Sequence, residues 1–438
     1  MIKSYLTIGW RSLLKNKGYS LINISGLAAG MSVAILIGLW IIDEVSFDHN
    51  FANHQEMAQV MVIQSQNGES YTGETVSNPI EDALRTKYKD DFTKLALVSW
   101  EDENATVSFG EKILVTRQMF VQPDFSEMFT MKMIEGTRNE LNDPSKAIIS
   151  QSLAYALFGS ESALNKPIRY GNNFDFLVGG VYEDFPQNST FKGTKLLLPW
   201  DHTSFSWYNK NTNWSNHSCR LFVQLANAEN VNDLAAKIRN VPTPFITAWK
   251  EEITLQPLDE VHLYNEFTHG VPTGGKIQYV WLIGTIGVFV LLLACINFMN
   301  LSTARSEKRA KEVGIRKSIG SLRHQLVGQF LAESIVVAMI ALAVSILITQ
   351  LALPFFNTLT EKNMTIFWKS YKFWIAILGF ALFSGIISGS YPAFYLSSFK
   401  PVKVLKGAFK AGRFAAIPRK AVAGLFWQQQ LTRLAGTG

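Results

Sequence analysis

A chain of 438 residues with 47% apolar and 17% charged side chains, at a mean hydropathy of +0.09, suits a protein that is part membrane and part water-soluble, with room for two or three units. Its two cysteines, Cys219 and Cys295, are too few for a disulfide framework and fall in different parts of the chain. The net charge of +6 sits at the ends of apolar segments rather than on one folded face, which argues against nucleic acid as a partner.

In chain order, residues 1–20 place Ile2, Leu6, Trp10 and Leu13 near one helical face, with Arg11, Lys15 and Lys17 at hand for lipid headgroups. This predicts an interfacial helix leading into a first membrane span at 21–42, a retained signal anchor with no small-residue cleavage site behind it. Three further runs, 280–301, 330–353 and 373–396, are long enough to span, since a bilayer core takes roughly 20 helical residues. The first span carries Gly26 and Gly30 and the fourth Gly385 and Gly389, small residues at a spacing that lets helices approach closely, as in a dimer contact. Asp43, Glu44 and Asp48 mark the outer boundary of the first span.

Residues 43–277 read as a soluble α/β or α+β domain of one or two lobes, with strands expected at 59–63, 94–99, 174–186 and 219–227 and helices at 78–88, 150–158 and 231–239. Asn78-Pro79 and Ser150 are the expected helix starts, and Gly110-Glu111 the turn of a hairpin between 105–109 and 112–116. Gly270 to Ile277 resembles a phosphate loop except that Ile277 stands where a magnesium-holding Ser or Thr is required. It is expected to be a Gly-rich hinge into the second span.

The second span ends with Asn297 and Asn300 one turn apart, polar groups suited to packing against another helix, and Glu333 lies about one turn inside the third, where a carboxylate needs a partner. Between them, residues 304–325 form a charged, helix-prone segment. Arg305, Lys308 or Arg309, Glu312 and Arg316 share one face, with Glu312 one turn before Arg316 as a favourable pair. Ile315, Ile319, Leu322, Leu326 and Phe330 form an apolar stripe expected to run into the third span, and Gly320 follows Arg316 and Lys317 as a helix end. Taking 1–20, 304–325 and 397–438 as the inner pieces gives them +17 and leaves −11 elsewhere. The positive-inside rule then puts both termini in the cytoplasm and residues 43–277 outside.

The seven histidines show no metal-ligand spacing in the sequence, and no nucleophile elbow, zincin or kinase signature is present. No metal site, cofactor or catalytic residue is expected, so any work must draw its energy from a partner.

The order of one span, an outer domain and three spans, with INFMNLSTARSEKRAKEVGIRKSIGSLRHQLVGQFLAES at 296–334 and SGSYPAFYLSSFKPVKVLKG at 388–407, resembles the FtsX-like or MacB-type ABC transporter permeases. VQPDFSEMFTMKMIEG at 121–136 and AIISQSLAYALFG at 147–159 are similar to that family's MacB-like periplasmic core. The resemblance implies an α-helical membrane protein with four transmembrane helices and a large extracytoplasmic α+β domain, resident in a bacterial inner membrane. It implies a permease subunit that couples ATP hydrolysis, on a separate ATPase subunit holding ATP and magnesium, to movement of the outer domain for export, extraction or signalling. The coupling surface would comprise Arg305, Lys308, Arg309, Glu312, Val313, Gly314, Ile315, Arg316, Lys317 and Gly320, with Arg316 and Lys317 as docking residues. The other implied partners are a second copy or permease half, membrane lipid, and a periplasmic adaptor or envelope protein. A receptor or a regulator of a cell-envelope enzyme is the alternative. Many relatives continue into a second span-and-domain copy, so this chain either suffices with four spans or is the first half of such a protein.

Overall fold

The computed structural model describes residues 17–227, 231–304 and 306–398, with the backbone alone described for 306–311. The expected interfacial helix and basic tail fall almost wholly outside these residues, and Arg305 does so entirely. The chain divides into two compact units, one made of residues 42–281 and the other of the segments on either side.

Among the described residues of the second unit, four helices are long and apolar enough to cross a membrane. They are TM1 (Lys17–Val45), TM2 (Lys276–Ala304), TM3 (Arg323–Thr360) and TM4 (Tyr371–Ser397). They outrun their apolar runs because backbone hydrogen bonding continues through the polar turns at either end. TM3 is the longest at 38 residues, about 57 Å at the helical rise. It closes on Glu361 in the left-handed region, where the Asn357 side chain pairs with both backbone groups of Met364.

Small residues let these helices meet. A Cβ built on Gly30 would lie 2.4 Å from that of Ala294 in TM2, and one on Gly389 would lie 2.6 Å from Ser334 in TM3. Both expected small-residue motifs are therefore filled by helices of the same chain. Ser32 Oγ donates to Ala28 O at 2.7 Å and Ser345 O at 3.2 Å, satisfying a buried hydroxyl between TM1 and TM3.

The other unit is built on one 12-stranded sheet. Its strands are β1 (Met57–Gln66), β2 (Glu69–Gly73), β3 (Phe92–Ser99), β4 (Asp102–Phe109), β5 (Lys112–Val121) and β6 (Met133–Gly136). They continue with β7 (Lys146–Ser150), β8 (Pro167–Tyr170), β9 (Phe174–Tyr182), β10 (Thr194–Pro199), β11 (Cys219–Leu225) and β12 (Lys250–Pro257). The path β10-β7-β9-β8-β4-β5 closes on itself, because β10 also pairs with β5. Such closure leaves the ring without free edges. The run β3-β11-β1-β12 forms a second, antiparallel lobe, joined to the ring where Val98 faces Val121.

Helices Asn78–Lys87 and Val231–Ile238 bury Ile80, Leu84, Leu234 and Ile238 in a core shared with Val60, Leu97, Leu221 and Ile253. A second core is aromatic: Phe129 packs edge-on against Phe191 at 4.6 Å and against Phe222 at 5.3 Å.

Several local expectations are met. β4 and β5 make the hairpin about Gly110, and Ser150 Oγ accepts from Leu153 N to cap the helix Gln151–Phe158. Two need correcting. The helix expected to start with Asn78 as its cap has Ser77 in that place, extended at φ −85°, so Pro79 takes the second helical position. The expected Gly-rich hinge is a hairpin of β13 (Glu266–Thr268) and β14 (Val271–Gly274). Its turn pair, His269 and Gly270, both have positive φ, the geometry that matches strand twist.

Candidate functional site

The helix Ser306–Ser318 follows TM2 directly and ends where the sequence places its glycine. Gly320 has φ +100°, its N–H donates to Lys317 O, and Ser321 N–H donates to Arg316 O. These two bonds close the helix in a Schellman motif that only glycine enters without strain. The chain then restarts at Arg323, with Gln325 Oε1 accepting from Leu322 N–H at 3.1 Å.

This break splits the expected apolar stripe. Leu326 and Phe330 are buried, whereas Ile315, Ile319 and Leu322 are 51%, 81% and 56% exposed. The stripe is not one continuous face because two separate helices, parted by the break at Gly320 to Leu322, carry its halves. Val313 instead supplies the anchor of the connecting helix. It is 2% exposed and packs with Leu326 and Phe330 of TM3 and Ala393 and Leu396 of TM4. Gly314 is buried beside it.

The charged face is a hydrogen-bonded relay. Arg316 donates to Glu312 Oε1 at 2.7 Å and to Gln329 Oε1 at 2.5 Å, and Gln329 Nε2 donates to Glu333 Oε1 at 3.1 Å. Glu333 is thereby linked to Arg316 through the Gln329 amide. Lys317 Nζ donates to Ser397 O at 2.7 Å, tying the same helix to the end of TM4. Arg316 and Lys317, the cations expected at the docking surface, are half-buried and engaged within the chain. The side chains of Lys308 and Arg309 lie outside the described residues. Asn297 faces TM1, its Nδ2 3.2 Å from a Cβ built on Gly26; Asn300 is half-buried near the end of TM2; and Gly385 packs on Ala338 and Ile335 of TM3.

Sequence reasoning missed Gln329 and Ser397. Gln329 had a signal, an amide one turn before Glu333 where an apolar run begins. Ser397 contributes through its backbone carbonyl, which no residue type announces.

The outer domain holds a second polar cluster. Asp48, at φ +62° and fully buried, accepts from Thr190 N at 2.7 Å and Thr190 Oγ1 at 2.5 Å. Burial raises its carboxyl above the ordinary value, and the Thr190 bonds oppose this without cancelling it. Glu44 and His262 pair at 2.6 Å with little exposure of either. His49, His54 and Asp259 come together from distant parts of the chain, with their ligand atoms within 4.8 Å of one another.

Comparison with known proteins sets these features in a family. Residues 20–241 match the MacB-like periplasmic core domain and residues 284–401 the FtsX-like permease C-terminal domain. An uncharacterized ABC transporter permease of Bacillus subtilis (strain 168), YvrN, is 24% identical over 92% of this chain and 99% of its own length. The macrolide export ATP-binding/permease protein MacB of Bdellovibrio bacteriovorus is 32% identical over 68% of this chain. The chain spans 45% of that protein's length. The periplasmic region of MacB from Actinobacillus actinomycetemcomitans superposes with a TM-score of 0.34 at 11% identity, covering 49% of this chain and 92% of that region. Two consecutive family domains, four apolar helices and an α+β domain between the first two helices agree, and the chain belongs to the FtsX/MacB-type ABC transporter permeases.

Proposed function

We propose that this permease is driven by a separate ABC ATPase subunit that docks on the exposed apolar face of Ile315, Ile319 and Leu322. The observation that carries the reading is the contrast between the two faces of one short helix. One face is fixed to TM3 and TM4 through Val313, Arg316 and Lys317, and the other offers two isoleucines to solvent. Large exposed apolar side chains beside charged ones, here Glu312, mark protein contact surfaces. In this reading Arg316 and Lys317 position the helix, and the isoleucines touch the partner.

ATP and magnesium then belong to the partner, both termini lie in the cytoplasm with it, and the outer domain faces the other side of the membrane. The outer domain moves with the spans, for export, extraction or transmembrane signalling. Two copies of this chain, or this chain with another permease half, would complete the complex, as FtsX/MacB-type membership suggests.

The test is co-purification from membranes of the co-expressed ATPase with an Ile315→Asp, Ile319→Asp variant. Loss of the ATPase with an unchanged unfolding temperature supports the proposal, and full retention overturns it. Cross-linking from the outer domain, with and without ATP, then separates transport from control of an envelope enzyme by the molecules captured.

A further inference from the structure

We propose that His49, His54 and Asp259 form a binding site for a divalent transition-metal ion of the zinc type. His54 Nδ1 lies 2.6 Å and His49 Nε2 3.5 Å from the same carboxylate oxygen, Asp259 Oδ1. The two imidazole rings stack at 4.5 Å with 24° between their planes.

A hydrogen bond between His54 and Asp259 needs no second imidazole. The second one is the informative feature, since it brings a further nitrogen to the same oxygen. Ligands of a tetrahedral zinc at about 2.0–2.1 Å lie roughly 3.3 Å apart. The His49 nitrogen already stands at that separation. The His54 contact is shorter because a proton occupies it, and opening it by under about 1 Å admits a metal in the proton's place.

The donor set decides the ion. Two imidazole nitrogens and one carboxylate suit zinc, nickel or copper, whereas calcium and magnesium take shells of oxygen. The site is also open enough to load and to keep a position for water. His49, His54 and Asp259 side chains are 41%, 16% and 33% exposed.

The placement gives the ion a purpose. His49 and His54 follow TM1 in sequence and Asp259 lies shortly before TM2, 205 residues after His54. An ion here clips together the first and last segments of the outer domain. The Glu44–His262 pair clips the same two segments without a metal. Closing so long a loop removes much of the freedom of the unfolded chain.

The experiment titrates zinc into the detergent-purified full chain, stripped by chelator, against a chromophoric competitor at neutral pH. One equivalent should bind, with affinity reduced at least tenfold in His49→Ala and in His54→Ala, and unchanged in His269→Ala. His49→Ala is the decisive variant, because its exposed ring can be removed with little effect on folding, checked by the unfolding temperature without metal. Binding that is equal in wild type and the His49→Ala, His54→Ala double variant, absent in wild type, or no tighter for zinc than for calcium overturns the proposal.

Discussion

Replacing Arg316 by alanine tests whether the connecting helix is held by its relay or merely lies against TM3. The bond from Arg316 to Gln329 is charge-assisted, and such bonds contribute about 1.5–3 kcal/mol. The arginine side chain is 36% exposed, so solvent screening places this bond near the lower end, about 1.5 kcal/mol. Its pair with Glu312, whose side chain is 57% exposed, adds only about 0.3–0.5 kcal/mol. Together, about 2 kcal/mol corresponds to roughly a 30-fold change in a local opening equilibrium. Amide hydrogen exchange on the full chain reads this directly. Protection over residues 313–318 should fall about 30-fold in Arg316→Ala and only about twofold in Glu312→Ala. Gln329→Ala, which of the two Arg316 bonds removes only the shared one, should lower protection by roughly 13-fold, and adding it to Arg316→Ala should change little, because that bond is already gone. Unchanged exchange in Arg316→Ala, or an equal loss in Glu312→Ala, refutes the reasoning.

Gly389→Val should destabilise the helix bundle by about 1–3 kcal/mol against denaturing detergent, because its Cβ would meet Ser334 at 2.6 Å. Gly38→Val is the control with open space around it and should change nothing. Ser150→Ala, which deletes the cap on Leu153 N, should cost the outer domain about 1 kcal/mol in thermal or urea unfolding. Glu251 gives a pH signature. Burial pushes its carboxyl up, but hydrogen bonds from His217, Trp249 and Gln64 outweigh burial and hold it below the ordinary 4.5. A depressed group contributes stability that is full above its unfolded value and is lost as pH falls through the folded one. Glu251→Gln should therefore flatten the acid side of the stability profile below pH 4.5.

How much of this was legible in the sequence follows from the range of the interaction involved. The membrane helices, the Glu312–Arg316 pair, the hairpin at Gly110 and the Ser150 cap each depend on residues a few positions apart. Local pattern suffices for them. The Gly320 stop was legible too, yet its consequence was not: a helix break turns Ile315 and Leu326 onto different elements. The closed strand ring was out of reach, because β10 joins β5 across 72 or more residues with no local mark in either strand. The histidines showed the same limit more sharply. His49 and His54 carry no ligand spacing to Asp259, and only the fold brings Asp259 to them.

The described contacts also constrain how the proposed docking surface would act on the membrane unit. A push on Ile319 reaches the bundle through Val313, which touches both TM3 and TM4, and through Lys317, which bonds to the last turn of TM4. TM3 and TM4 are expected to move together, since Gly385 packs on the backbone of Ile335 and Gly389, one turn on, on the side chain of Ser334. Close-packed surfaces of this kind transmit displacement with little compression. Loosening the TM3–TM4 contact and loosening the Arg316 relay should therefore uncouple at different points. A Gly389→Val chain should still retain its ATPase partner, because the isoleucine face is untouched, whereas an Arg316→Ala chain should hold it more weakly. If both variants retain the partner equally, the relay does not position the docking face, and the isoleucines must be held by the Val313 contact alone.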